Sequence, residues 1–256
     1  MKKQRAFARK RDQGPRPESR SAGVLTRAEP HHPLGPASAL GNATIQRVLR
    51  STLQRQTATE TSASVPGLPS DKVNDIQAKL EADRAGALAS LQAALSSTGK
   101  IDLSFLTDGA MSYISDTSRM RPGHSGVTSL SPGRGRPRPC RVEIGPDAFR
   151  SVSVLYTTVM HEWQHVLQFR RPEAGGEAAD ELEARLWEIE NLEQTGLWHD
   201  ASYMGRIGGQ LDHWWGEMSA EEQSPYRPRY ETALTTITQM RQRLADEQFR
   251  QQQGGG

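Results

Sequence analysis

The feature that most constrains the fold is an apolar segment, residues 151–170, that also carries two histidines and a glutamate. Its apolar residues recur at helical spacing and Pro172 follows, which predicts a largely buried helix that ends before the proline. Imidazole and carboxylate groups are costly to bury without partners. A core built around this helix must therefore supply partners for His161, Glu162 and His165.

The two histidines stand four residues apart in the pattern His161-Glu162-Trp163-Gln164-His165. On a helix this spacing projects both imidazoles from one face, so they can bind one metal ion. Glu162 lies at the edge of the same face, where its carboxylate can take a proton from water without binding the metal. Zinc lowers the pKa of a bound water toward ~7 and polarises a carbonyl, so the pattern indicates metal-assisted hydrolysis with Glu162 as general base.

A catalytic zinc site requires a third protein ligand. The next histidine is as distant as His199, so the ligand is expected to be a glutamate of the following helix, predicted over residues 177–194. Glu181, Glu183 and Glu190 are the candidates. On a helical wheel Glu183 and Glu190 flank the apolar stripe of this helix, and Glu183 is the favoured ligand.

The pattern His161-Glu162-x-x-His165 followed by Glu183-Ala184 resembles the gluzincin metallopeptidases. In that family two histidines of the active-site helix and a glutamate of the next helix bind zinc. The resemblance implies a zinc-dependent endopeptidase that hydrolyses a peptide bond in a protein or peptide substrate. The chain departs from the family at Trp187, where an acid usually stands four residues after the ligand, so the carboxylate that supports a ligand histidine is unassigned.

The resemblance also implies an α+β, zincin-like fold that is mostly helical, with a small sheet over the active-site helix. An edge strand of such a sheet pairs with an extended substrate. Two segments are the candidates for this edge strand. Residues 101–105 alternate apolar and polar residues, and residues 141–144 also have the pattern of a short strand. Residues 117–139, rich in Ser, Gly, Pro and Arg, are predicted to form a loop.

A side chain that stabilises the transition-state oxyanion is expected to face the metal. His213, which stands beside two tryptophans, is the first choice for this catalytic role. The full set of downstream candidates is His199, Tyr203, His213, Tyr226 and Tyr230.

Outside the catalytic domain, predicted over residues 68–252, the chain changes in composition. Residues 1–67 are basic and rich in Pro, Ser and Gln, which predicts a disordered leader, and residues 253–256 a flexible tail. Because aromatic residues do not interleave with the basic ones, nucleic acid is not an expected partner. The chain shows no apolar core of a secretory signal and no run long enough to predict a membrane span.

Within the leader, residues 40–56 have the spacing of a short amphipathic helix. The sequence of residues 41–49 and 53–56 is similar to the leaders of bacterial proteins associated with extracellular contractile injection systems. Many of these proteins carry an H-E-x-x-H domain. The resemblance implies a loading signal that contacts the tube or loading proteins. The chain would then be a toxin or effector, made in the bacterial cytoplasm, packaged and delivered outside or into a target cell. The alternative is a zinc-binding but non-catalytic accessory or structural component of the particle.

Overall fold

The structure is a computed structural model that describes residues 65–118, 120, 124–130, 138–171 and 176–253. These residues belong to one compact unit, Glu60–Gly256. The leader and its short helix at 40–56 lie outside the described residues, apart from positions 65–67. The helices are α1 (Ser70–Lys79), α2 (Arg84–Ser97), α3 (Val152–Phe169), α4 (Glu177–Glu190), α5 (Leu192–Thr195), α6 (Ala201–Gly216), α7 (Ala220–Gln223) and α8 (Arg227–Gln253), and the strands are β1 (Ser112–Tyr113), β2 (Gly126–Leu130) and β3 (Cys140–Ile144).

The three strands form one mixed sheet in the order β1-β3-β2. β1 runs parallel to β3, and β2 runs antiparallel to it with Gly126 opposite Ile144 and Leu130 opposite Cys140. The prediction of a mostly helical α+β chain with a small sheet is confirmed at this level. None of the helices in the described part of the chain combines the length and apolar character of a membrane span.

Neither candidate forms an edge strand. Residues 141–144 are confirmed as a strand, but they lie in β3, the central strand of the sheet, and residues 103–105 form a 3-10 turn. The Asp102 side chain accepts a hydrogen bond from the Ser104 backbone N–H and so favours this turn over an extended conformation. The edge strand that packs next to α3 (Val152–Phe169) is instead β2, which lies inside the predicted loop 117–139.

α3 coincides with the helix predicted over 151–170. The Ser151 side chain caps its N-terminus by accepting the Val154 backbone N–H at 3.2 Å. The helix is buried on more than one side because it lies between two apolar clusters. Most of its apolar residues join the cluster formed with the sheet, α1 and α2, whereas Val154 joins the cluster formed by α4, α6 and α8.

Two of the other predicted helices occur at the expected positions, but each is divided into two shorter helices. The apolar spacing of residues 70–97 predicts one long helix, whereas the structure divides this segment into α1 and α2, because Asp83 begins a new helix by accepting the Gly86 backbone N–H. The helix predicted over 177–194 is α4 followed by α5, and Gly196 ends it with φ 69°. α6 had no counterpart in the prediction.

Candidate metal centre

The two histidines of α3 face each other across one helical turn. Nε2 of His161 lies 3.2 Å from Nε2 of His165, and the two ring planes are 83° apart. His161 is buried, and His165 is partly buried. The spacing of four residues thus brings one nitrogen from each ring to a common point, as the sequence predicts.

The second nitrogen of each ring lies beside an oxygen of another side chain. Nδ1 of His161 lies 2.6 Å from Oε1 of Glu188, and Nδ1 of His165 lies 2.7 Å from Oε1 of Gln168. A carboxylate oxygen and an amide oxygen are acceptors, so these neighbours favour the tautomer with the proton on Nδ1 of each ring. In that tautomer both Nε2 atoms are available to bind a cation.

Glu181 of α4 completes this arrangement. Its two carboxylate oxygens lie 3.8 Å from Nε2 of His161 and 3.7 Å from Nε2 of His165. Oε2 of Glu181 is buried, and no described residue donates a hydrogen bond to it. An acceptor left in this state requires a cation or a donor.

The candidate ligand atoms of His161, His165 and Glu181 all lie within 4.8 Å of one another. These three side chains can hold a metal ion. No protein-family model, curated protein or solved structure matches the chain. The geometry and chemistry of the cluster are therefore the basis for assigning a function.

The structure places Glu183, the favoured ligand, away from the histidines. Its carboxylate accepts two hydrogen bonds from the Arg171 guanidinium, at 2.6 and 2.9 Å, and one from Gln168 at 3.1 Å. Burial raises the pKa of the Glu183 carboxyl, but the bonds from Arg171 and Gln168 lower it more. Glu190, the other flanking candidate, pairs with Arg229.

The helical wheel favoured Glu183 because α4 was expected to bury only its apolar stripe. That stripe packs into the cluster with α6 and α8, whereas the face carrying Glu181, Arg185 and Glu188 turns toward the histidines of α3. The helix is thus buried on two sides, and the polar face is the one that meets the metal cluster. Glu181 and Glu188 share it because seven residues span two turns.

Glu188 lies beside His161, where no supporting carboxylate was predicted. It is 3% exposed, and besides contacting His161 it accepts hydrogen bonds from Arg185 Nη1 at 2.6 Å and from the Tyr203 hydroxyl at 2.5 Å. Burial alone would raise the pKa of Glu188, but the attraction of Arg185 and the contacts with His161 and Tyr203 lower it to about 2. Burial, reinforced by the Glu188 charge, raises the pKa of Tyr203 well above its ordinary value.

Glu162 is 3% exposed and lies against the edge strand β2. The Thr128 hydroxyl donates a hydrogen bond to its Oε2 at 2.7 Å. A Cβ atom at Gly126 would lie 2.6 Å from Oε1 of Glu162, so the strand can approach only with glycine there. Thr128 and Gly126 are site residues that the sequence did not reveal, since they lie in the segment predicted as a loop.

A cavity beside the cluster is lined by His161, Glu162 and residues of α4 and α6. His124 also lines it, and burial lowers the pKa of this histidine, so it is neutral at pH 7. Gln168 and His124 were not predicted as residues of this site, because neither belongs to a sequence motif that indicates such a role.

His213, the first choice for a catalytic donor, is exposed and does not line the cavity. Tyr203, on the same helix α6, does line it. Tyr203 and His213 are ten positions apart, which corresponds to roughly 15 Å along a helix. Of the other candidates, His199 pairs with Glu247, and Tyr230 donates a hydrogen bond to Asp212.

Proposed function

We propose that the chain is a zinc-dependent hydrolase that cleaves peptide bonds, with His161, His165 and Glu181 as zinc ligands and Glu162 as general base. The observation that carries the proposal is that two imidazole Nε2 atoms and a carboxylate with an unpartnered buried oxygen lie within 4.8 Å of one another. Such a cluster of acceptors is electrostatically unfavourable unless a cation binds it.

The donor set favours zinc over the hard cations. Calcium and magnesium prefer oxygen ligands, whereas two imidazoles and one carboxylate are typical of catalytic zinc. Bonds of about 2.1 Å to a tetrahedral ion imply about 3.4 Å between ligand atoms. The two Nε2 atoms are 3.2 Å apart, and one oxygen of Glu181 lies 3.8 Å from His161 while the other lies 3.7 Å from His165. Because one ligand atom from each residue already lies within 4.8 Å of the others, shifts of about 1 Å reach the tetrahedral geometry.

When bound, zinc would polarise a substrate carbonyl and make a water easier to deprotonate. Glu162 takes the proton. Thr128 donates to Oε2 and holds the carboxylate in one orientation, which leaves Oε1 to accept that proton. Since Glu162 is buried beside β2, little bulk water competes for it. Glu188 and Gln168 keep the two histidines in the tautomers that direct Nε2 at the ion.

The test is a comparison of the native chain with Glu162→Gln. Zinc content is measured by elemental analysis, and cleavage by mass spectrometry of a mixed peptide library. We expect about one zinc in both proteins and at least a hundredfold slower cleavage by the variant, because removal of a general base costs roughly 10²–10⁴ in rate. A native chain that binds no zinc would overturn the proposal. Zinc binding without cleavage would support the non-catalytic component instead.

We also propose, from the likeness of residues 41–49 and 53–56 to injection-system leaders, that the chain is delivered as an effector. The residues that carry this likeness lie in the leader, outside the part of the chain that the structure describes. A chain that lacks residues 1–64 should keep zinc and cleavage but no longer copurify with injection particles. Equal loading of the shortened chain would refute the role of the leader without touching the proposal for the metal centre.

A further inference from the structure

The cavity beside the metal cluster is rich in arginine. Of the described residues that line it, three are arginines, namely Arg150, Arg185 and Arg206, and two are glutamates, Glu162 and Glu188. Arg185 lies inside, whereas Arg150 and Arg206 are exposed and stand at the mouth. We call this space the arginine cavity.

Three buried side-chain atoms of residues that line the arginine cavity form no hydrogen bond with the described residues, namely Nδ1 of His161, Nε of Arg185 and the Thr157 hydroxyl. Nδ1 of His161 lies 2.6 Å from Oε1 of Glu188, which leaves two unpartnered donors, Nε of Arg185 and the Thr157 hydroxyl, in side chains that are 9% and 4% exposed. Burying a donor without an acceptor is unfavourable, and natural structures seldom leave such groups unsatisfied. Two of them on one cavity therefore indicate an acceptor that comes from outside the chain.

The glutamates of the cavity do not supply this acceptor, because other groups engage them. Glu188 accepts from Arg185 Nη1 and from Tyr203, and it contacts His161. Glu162 accepts from Thr128. Nε of Arg185 and the Thr157 hydroxyl are left over, and the additional positive charge at the mouth favours an anion.

We infer that the arginine cavity binds a carboxylate of the substrate through Arg185 and Thr157, with Arg206 attracting it at the mouth. A guanidinium and a hydroxyl together suit the planar, charged acceptor that a carboxylate presents. The inference rests on the proposed function for its meaning, since the bound group would place a neighbouring peptide bond beside Glu162. The carboxylate belongs either to an acidic side chain or to the C-terminus of the substrate.

The test observes the Arg185 Nε–H signal by ¹⁵N NMR in the full-length chain, both zinc-loaded and chelator-treated. The probes are the α-amide of N-acetylglutamate, which offers a side-chain carboxylate, N-acetylleucine, which offers a terminal one, and the neutral α-amide of N-acetylglutamine. We expect a saturable shift with a charged probe and none with the neutral one. The charged probe that binds more tightly identifies the source of the carboxylate.

Thr157→Val keeps the shape of the side chain and removes the unpartnered hydroxyl, so it should fold normally. It should weaken binding of the charged probe about fivefold, the effect of one hydrogen bond. Thr235→Val, at an exposed position of α8, is the matched control and should bind as the native chain does. If Arg185→Lys folds, loss of one resonance from its spectrum assigns the Arg185 Nε–H signal. If it does not fold, the comparison of Thr157→Val with Thr235→Val tests the carboxylate site.

Failure of the charged probes to shift Arg185 in either metal state, or an equal shift with the neutral probe, would overturn the inference and leave water as the only partner of these donors. Zinc content is measured on the same samples. If the chain binds the probes but no zinc, the carboxylate site is supported and the proposed zinc-dependent function is refuted. If it binds zinc but none of the probes, the proposed function stands and the carboxylate site is refuted.

Discussion

Oε1 of Glu188 lies 2.6 Å from Nδ1 of His161, on the side of that ring away from His165. The same carboxylate is held by Arg185 and Tyr203, so residues of α4 and α6 together surround a side chain of α3. The candidate metal centre thus depends on three helices, although its two histidines come from one. The first prediction follows from that dependence.

Tyr203→Phe removes the hydroxyl that donates to Glu188 and leaves the ring in place. Because this hydrogen bond is buried and its acceptor is charged, the variant should lose about 2 kcal/mol of unfolding free energy. Loosening Glu188 should also weaken zinc binding by roughly tenfold. Chemical denaturation and competition with a zinc chelator measure the two effects, and an unchanged zinc affinity would show that His161 is oriented without this network.

Glu181→Gln and Glu183→Gln form a matched pair on one helix. Glu181→Gln should weaken zinc binding about a hundredfold or more, because loss of a direct ligand costs at least as much as loss of an outer-shell partner. Glu183→Gln weakens the pairing with Arg171 and the hydrogen bond from Gln168, but it removes no candidate ligand and should keep its zinc. Elemental analysis after dialysis distinguishes the two glutamates, and loss of zinc from Glu183→Gln alone would return the ligand to that position.

Gly126→Ala should separate zinc binding from cleavage. The added Cβ would lie 2.6 Å from Oε1 and 2.7 Å from Cγ of Glu162, so the carboxylate or the strand must move. We expect full zinc content with cleavage at least about tenfold slower, because a displaced base no longer meets the reacting water. Gly209→Ala, on α6 with no atom within 4 Å of the new Cβ, is the control and should cleave normally. Equal activity of the two variants would argue against Glu162 as the base.

Tyr230 allows a test by pH at a point remote from the metal ligands. Burial, together with the hydrogen bond to Asp212, raises its pKa to about 12. Since the folded pKa is above the ordinary value of 10.0, this contact stabilises the protein fully below pH 10 and the stabilisation is lost as pH rises toward 12. Spectrophotometric titration should show one tyrosine with this raised pKa, and Asp212→Asn should lower it; a Tyr230 that ionises normally in the native chain would contradict the contact.

Several elements could be predicted because local patterns specify them. Ser151, the apolar spacing of 151–170 and Pro172 bound α3 with no reference to the rest of the chain. β2 could not be predicted in this way. Its five residues, Gly, Val, Thr, Ser and Leu, form a strand because they pair with β3, which is separated from them in sequence.

The third candidate ligand shows the same division. A helical wheel identifies which residues of α4 share a face, and it correctly separates Glu181 and Glu188 from the apolar stripe. It does not reveal that a second helix covers the polar face as well. Arg171 then engages Glu183, and Glu181 is the acid left beside the histidines.

The sequence by itself determined the pair His161 and His165, with Glu162 beside them, because a spacing of four on one helix is a local geometric property. Tertiary structure decided what surrounds that pair. It chose Glu181 over Glu183, joined Glu188 to His161, brought Thr128 and Gly126 against Glu162, and left His213 outside the cavity. These relations depend on how separate helices and strands pack together, and packing is settled by the shape and burial of the whole core rather than by any one segment.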